Sequence, residues 1–137
     1  MVDPEPQVLA LSSPPDDVNS VHALLEEVWA AHGDVPDLDR MAFETALIEL
    51  ASNVIGHADG GEGISCSLAV TVSEDRIEAN LVDTGQPGNI VLSAVALPDD
   101  LAESGRGLPI IQALVDELSY SREDGLNRWH IARKRER

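Results

Sequence analysis

Apolar residues recur every three or four positions in three segments of the chain, which is the spacing of one buried helix face. The first segment follows Ser-Ser-Pro-Pro-Asp-Asp, in which a capping serine, prolines and acidic residues favour a helix start. The pattern predicts a second helix over about residues 38–58, ended by a glycine-rich stretch, and a third over about residues 106–118. The apolar positions behind these predictions are Val18, Val21, Leu25, Val28 and Trp29, then Phe43, Leu47, Leu50, Val54 and Ile55, then Leu108, Ile111, Leu114, Val115 and Leu118.

Other segments alternate between apolar and polar side chains, which predicts β-strands with one buried face. The predicted strands are residues 7–12, 64–72, 76–83, 119–123 and 126–134, with a turn at Asp124-Gly125 and a long loop over residues 84–104. The element order β-α-α-β-β-loop-α-β-β predicts a two-layer α/β sandwich, with a mixed, mostly antiparallel sheet and helices on one face. We expect residues 1–137 to form a single domain.

The charge of the chain limits its partners. It carries 25 acidic and 9 basic residues, a net charge of −16, so it repels phosphate backbones and direct nucleic-acid binding is disfavoured. No apolar run approaches the roughly 20 residues of a membrane span, and the acidic N-terminus is unlike a signal peptide. The single cysteine, Cys66, excludes an internal disulfide and is expected in the core. We therefore expect a cytoplasmic protein with no membrane contact.

The second helix carries three polar side chains at a spacing of four residues. Glu49, Asn53 and His57 fall on one stripe of this helix. The stripe can be the solvated side of an amphipathic helix. Alternatively, it can bracket a metal-bound phosphate, because Asn offers Mg²⁺ a neutral oxygen and Glu can accept a proton.

The segment Leu-Val-Asp-Thr-Gly-Gln-Pro-Gly ends the third predicted strand. Asp83 has the parity of the apolar residues of this strand, so alternation directs its carboxylate to the core. A buried carboxylate needs hydrogen-bond donors, and the amino group of a ligand such as adenine is one. Gly85 would let a base approach closely. Asp-Thr-Gly is also an ordinary turn sequence, and both interpretations stay open.

The third segment of interest is Ser-Gly-Arg-Gly at the start of the last predicted helix. Gly105 and Gly107 flank Arg106, and a glycine-rich helix N-terminus with a nearby cation is suited to phosphate. A mobile loop that leads into a helix is the plainer interpretation. The glycine patterns of P-loop and Rossmann sites are not matched here.

Together the three segments resemble the motifs of the GHKL ATPase superfamily, which includes histidine kinases, Hsp90 and type II topoisomerases. Ile-Glu-Leu-Ala-Ser-Asn-Val-Ile-Gly-His-Ala resembles the N box, Asp-Thr-Gly-Gln-Pro-Gly the first glycine box, and Ser-Gly-Arg-Gly-Leu-Pro-Ile-Ile the second. The residues of these motifs are similar to those of the anti-sigma-factor serine-protein kinase branch, and the resemblance covers about residues 38–134.

The resemblance implies ATP and Mg²⁺ as cofactors and a role for each matching residue. Glu49 would be the general base, Asn53 the Mg²⁺ ligand, and His57 would orient Asn53 or approach a phosphate. Asp83 would bind the adenine amine, with Gly85 lining the base. Two departures are Asn127, where related proteins often carry Thr near the adenine, and the unusual Gln-Pro-Gly-Asn at the start of the lid. The phosphate-contacting hinge of the ATP lid would consist of Gly105, Arg106, Gly107 and Leu108.

The function that the resemblance implies is phosphorylation of a serine on an anti-sigma antagonist protein, coupled to capture of a sigma factor. It also implies a homodimer, and the apolar strand at residues 7–12 offers an edge for pairing. Two other functions remain open. One is a non-catalytic regulator that binds ATP, and the other is a detached histidine-kinase catalytic domain, for which His22 alone could serve as phosphoacceptor.

Overall fold

The computed structural model describes residues 6–13, 18–58, 64–84 and 107–135, with side chains throughout except at residues 13, 56–58, 64 and 107–109. Five strands and three helices follow one another in the predicted order. Their bounds are β1 Gln7–Ser13, α1 Val18–Ala31, α2 Asp37–Ala58, β2 Ile64–Val72, β3 Arg76–Asp83, α3 Gly107–Leu114, β4 Glu117–Glu123 and β5 Leu126–Lys134.

The five strands form one sheet in the order β1-β2-β3-β5-β4. Every neighbouring pair among these described strands is antiparallel, in agreement with the predicted mostly antiparallel sheet. Three of the four pairs join strands that follow one another in the chain: β1 and β2 are connected through α1 and α2, while β2–β3 and β4–β5 are hairpins. The fourth pair places β5 beside β3. A two-residue turn with left-handed Asp124 (φ 54°) and Gly125 (φ 78°) connects β4 to β5, as the Asp-Gly sequence predicts.

The helices cover one face of this sheet, as predicted. Inward-facing side chains alternate with outward-facing ones along each central strand, and α2 packs against β3, β5 and α3. None of the helices in the described part of the chain combines the length and the apolar character needed to cross a membrane. The largest fully buried side chains are Phe43, Leu25, Leu47, Leu50, Leu68, Ile77, Ile111, Ile131, Val21, Val28 and Val70.

The third helix is shorter than the sequence pattern predicts. It ends at Leu114 instead of residue 118, and β4 begins three residues later at Glu117. The amide of Val115 still bonds to the carbonyl of Ile111, but the amide of Asp116 bonds to Ala132 on β5. Leu118 is therefore an inward-facing strand residue opposite Ile131. Because Leu118 lies four residues after Leu114, it also fits the spacing of a buried helix face, and the pattern predicts a longer helix than the structure has.

A single guanidinium joins the sheet to the ends of two helices. Arg133 of β5 donates from Nε to Asp39 Oδ1 at 2.9 Å and from Nη1 to the carbonyl oxygen of Leu114 at 2.7 Å. Asp39 lies in the first turn of α2 and is fully buried, while Leu114 is the last residue of α3. We call this arrangement the Arg133 clamp. It fixes where α2 starts and α3 ends above the sheet.

Removing the guanidinium from the clamp should destabilise the fold strongly. Arg133→Met leaves the carboxylate of Asp39 buried without its cation, so the free energy of unfolding should fall by about 3 kcal/mol. The matched control is Arg40→Met, which removes the exposed ion pair to Asp37 on the same helix turn and should cost under about 1 kcal/mol. Urea denaturation of both variants measures the difference. Equal losses in the two variants would contradict a special role for the clamp.

Candidate functional site

Asp83, the last residue of β3, carries a carboxylate directed into the protein. Its neighbours of the same parity are Ile77, Ala79 and Leu81, all of them buried. Asp83 itself is 1% exposed, as the alternation along the strand predicts. The next residue, Thr84, bonds to Ser65 through both its amide and its hydroxyl, which holds the end of β3 against β2.

Two side chains of β5 donate hydrogen bonds to this carboxylate. Asn127 donates from Nδ2 to Oδ1 at 2.9 Å, and Trp129 donates from Nε1 to Oδ2 at 3.0 Å. Asn127 stands directly opposite Asp83 in the β3–β5 ladder, and Trp129 is two residues further along the same face. The donors satisfy a charge that would be costly to bury otherwise.

The oxygen of the Asn127 amide accepts hydrogen bonds from two side chains of the edge strand β4. Its Oδ1 accepts from the hydroxyl of Tyr120 at 2.5 Å and from Nη1 of Arg122 at 2.9 Å. Asn127 is 1% exposed, and its amide links half-buried bonds from β4 to the buried carboxylate on β3. We call Asp83, Asn127, Trp129, Tyr120 and Arg122 the Asp83 cluster.

Two aromatic rings of the Asp83 cluster pack against each other. The rings of Tyr120 and Trp129 have centroids 4.5 Å apart and are tilted by 46°. The two residues face each other across the β4–β5 ladder. Trp129 is 4% exposed, so its indole N–H is directed into a dry environment, where a hydrogen bond to a carboxylate is strong.

Cys66 lies beside Asp83 on the neighbouring strand β2. Burial raises the pKa of its thiol to about 12, and the negative charge of Asp83 adds to this effect. The thiol stays protonated at neutral pH and is therefore a poor nucleophile. The prediction that Cys66 is a core residue is confirmed, since it is 6% exposed.

Glu49 and Asn53 lie one turn apart on α2, and both are half-buried. Leu50 and Val54, next to them on the helix, are in the core. Within the described part of the chain, Nδ2 of Asn53 is a buried atom without a hydrogen-bond partner. An amide can turn by 180° with little change in shape, which would bring its oxygen to this position.

The sequence of the chain also matches a known protein family. The model of the histidine kinase-like ATPase domain family matches residues 11–131, which is most of the chain. The chain belongs to this family. Membership implies ATP binding.

A solved structure shows the same fold for this histidine kinase-like ATPase domain. It contains the RsbU and RsbW domains of Rv1364c from Mycobacterium tuberculosis, with a TM-score of 0.68 and 20% sequence identity. The match covers 96% of the present chain but 33% of that longer chain, so the present chain corresponds to one part of it. No curated protein was found that matches the sequence.

The structure places part of the predicted site of this ATPase domain. It brings Asp83 and Asn127 into direct contact and puts Glu49 and Asn53 on one side of α2. His57 lies in the last turn of α2, and Gly107 and Leu108 begin α3, but the side chains at these positions are outside the described residues. Gly85, Gly105, Arg106 and all of the predicted loop 84–104 except residue 84 lie outside them.

Three residues of the Asp83 cluster are missing from the set that the motifs predict. These are Trp129, Tyr120 and Arg122. A signal for them is present in the sequence, because the two-residue turn at Asp124-Gly125 sets the register that places Tyr120 opposite Trp129 and Arg122 opposite Asn127. The contact of this pair of strands with Asp83 has no such local signal.

Proposed function

We propose that this histidine kinase-like ATPase domain is an anti-sigma factor with ATP-dependent serine-protein kinase activity. Its substrate would be a serine of an anti-sigma antagonist protein, and its second partner a sigma factor. Two findings support the proposal: the motifs resemble the anti-sigma-factor kinase branch, and the fold is that of a solved structure containing an RsbW domain. The net charge of −16 is compatible with binding a basic transcription factor.

The observation that carries nucleotide binding is the buried carboxylate of Asp83. The two donors from β5 are neutral N–H groups, so they leave the negative charge in place. A carboxylate offers about four acceptor sites. Such a group is suited to accept a further hydrogen bond from the exocyclic amine of adenine.

Glu49 and Asn53 on α2 are proposed to act at the phosphates of ATP. Asn53, whose Nδ2 atom is buried without a hydrogen-bond partner, would hold Mg²⁺ through its oxygen once the amide is turned. When bound, Mg²⁺ supplies charge neutralisation at the transferred phosphoryl group. Glu49, one turn earlier and half-buried, would accept the proton of the attacking serine hydroxyl. His57 would orient Asn53.

The start of α3 is proposed to face the phosphates. Gly107 is the first residue of this helix, and a helix N-terminus presents unpaired N–H groups and the positive end of the helix dipole. Gly105 and Arg106 would extend this binding surface, and Leu108 would complete the hinge. The Arg133 clamp fixes the other end of α3.

Asp83→Asn should weaken ATP binding. The amide replaces one of the two carboxylate oxygens with an N–H₂ group, which cannot accept a hydrogen bond, and it removes the negative charge, so ATP affinity should fall by roughly 2–4 kcal/mol. Isothermal calorimetry on folded variant protein measures this. The matched control is Asp75→Asn, at the opposite end of the β2–β3 hairpin, where the side chain accepts from Ser73 in an exposed turn. Unchanged ATP affinity in Asp83→Asn would remove the adenine-site assignment.

Glu49→Gln should separate ATP binding from phosphoryl transfer. A general base stabilises the transition state more than the bound ground state, so ATP affinity should stay within a few-fold of wild type. Transfer from labelled ATP to the antagonist protein should fall by about 100-fold. Glu44→Gln is the matched control, because Glu44 lies on the same helix and accepts from Trp29 of α1.

The same assay tests the proposed function as a whole. Absence of transfer by the wild-type protein, with ATP bound and sigma-factor capture intact, would favour a non-catalytic regulator. Loss of ATP binding in Glu49→Gln would show that Glu49 is a structural or metal-binding residue and that the division of roles on α2 is wrong.

A homodimer is part of the proposal. β1 is an edge strand, and Val8 on it is 62% exposed, so a second copy could pair along this edge. Light scattering at micromolar concentration should give about twice the 14.7 kDa mass of one chain. A mass close to that of one chain would contradict dimerisation.

A further inference from the structure

We propose that the outer face of the sheet carries a binding site for a phosphate group, centred on Arg128. A cavity of about 330 Å³ lies on this face, and we call it the outer-face pocket. The helices cover the opposite face of the sheet, where ATP is proposed to bind. The two sites are therefore separate, and this inference does not rest on the proposed function.

The strand register explains where the outer-face pocket lies. Two adjacent cross-strand rows of side chains form it, each with one residue from β3, β5 and β4: Asn80, His130 and Ser119, then Val82, Arg128 and Ser121. The side chains of Leu81 and Trp129 are buried on the inner face, so these residues contribute backbone to the pocket. Short serine side chains on the edge strand leave room beside the longer side chains of β5, which produces the depression.

Arg128 supplies a positive charge to this pocket. In the described part of the chain, the structure gives its guanidinium neither an ion pair nor a hydrogen bond. The other described arginines are all bonded to oxygen atoms of neighbouring residues: Arg40, Arg76, Arg122, Arg133 and Arg135. In a chain with 25 acidic and 9 basic residues, an arginine without a carboxylate partner is an exception. Its planar fork of N–H donors matches the oxygens of an anionic ligand.

The donors around Arg128 favour a phosphate group over a carboxylate. Asn80 lies on one side of β5, and the hydroxyls of Ser119 and Ser121 lie on the other. None of the described residues that line the pocket is acidic. A carboxylate has two oxygens in one plane, whereas a phosphate group presents its oxygens in a tetrahedral arrangement and can accept from all three strands. Val82 gives the pocket an apolar wall for the organic part of a phosphate ester.

The acidic residues of the neighbouring rows are compatible with an anion here. Glu78 and Glu117 stand in the row next to His130, and both carboxylates form ion pairs with Arg76. Glu78 also pairs with Nε2 of His130 at 3.3 Å. Charges separated by more than about 8 Å are largely screened at physiological ionic strength, so these local groups outweigh the net charge of the whole chain.

Titration with inorganic phosphate tests the site in the full chain. The amide resonances of Ser119, Ser121 and Arg128 in a ¹H–¹⁵N spectrum should shift with phosphate and not with chloride at the same ionic strength. Arg128→Gln keeps an exposed polar side chain and removes the charge, so phosphate affinity at these amides should fall by about tenfold or more. Phenyl phosphate separates the two sources of the group: tighter binding than inorganic phosphate identifies an ester, and equal binding identifies free phosphate.

Lys134→Gln is the matched control for this substitution. Lys134 is exposed on the same face of β5 but outside the outer-face pocket, so its removal should leave phosphate affinity within about twofold of wild type. Equal losses in the two variants would indicate a general effect of charge and overturn the inference. Acetate should bind more weakly than phosphate, and equal affinities would exclude phosphate as the preferred class of ligand.

A second copy of the chain is the alternative occupant of this face. Light scattering of Arg128→Gln measures whether the residue contributes to self-association, and the mass should equal that of wild type. A changed mass, with amide shifts that phosphate and chloride produce equally, would make the face an interface between copies and overturn the inference.

Discussion

The ion pair between Arg133 and Asp39 joins the helix layer to the sheet. Asp39 is fully buried at the start of α2, and a buried carboxylate that loses its cation costs several kcal/mol. The same guanidinium donates to Leu114 at the end of α3. The two helices that carry the proposed phosphate-binding groups are thus held to one strand through one side chain.

Strand β5 connects the clamp to the Asp83 cluster. Along its inner face stand Asn127, Trp129, Ile131 and Arg133, in that order. The first two donate to Asp83, the third fills the core, and the last holds the helices. The alternating pattern of one strand therefore places the side chains that contact Asp83 and the side chain that contacts the helices a fixed number of residues apart. A shift of register by one residue would turn all four side chains to the outer face at once.

The strands and the first two helices could be predicted from the sequence because their signals are local. Periodicity marks α1 and α2, alternation marks β2 and β3, and Asp124-Gly125 sets the β4–β5 hairpin. The pairing of β3 with β5 has no local signal, since about 40 residues separate the strands. For this reason Asn127 was associated with the site through family resemblance, whereas the donation of Trp129 to Asp83 required the structure. The end of α3 was misjudged because Leu118 fits a helical period and a strand period equally well.

Asp39 and Asp83 show how differently two buried carboxylates can be accommodated. Both are at most 1% exposed. Asp39 is bonded to a guanidinium, whose positive charge offsets its own, and this arrangement serves the fold. Asp83 is bonded by the amide of Asn127 and the indole of Trp129, which orient it without neutralising it. The proposed role of Asp83 as the contact of the base rests on this difference between the two carboxylates.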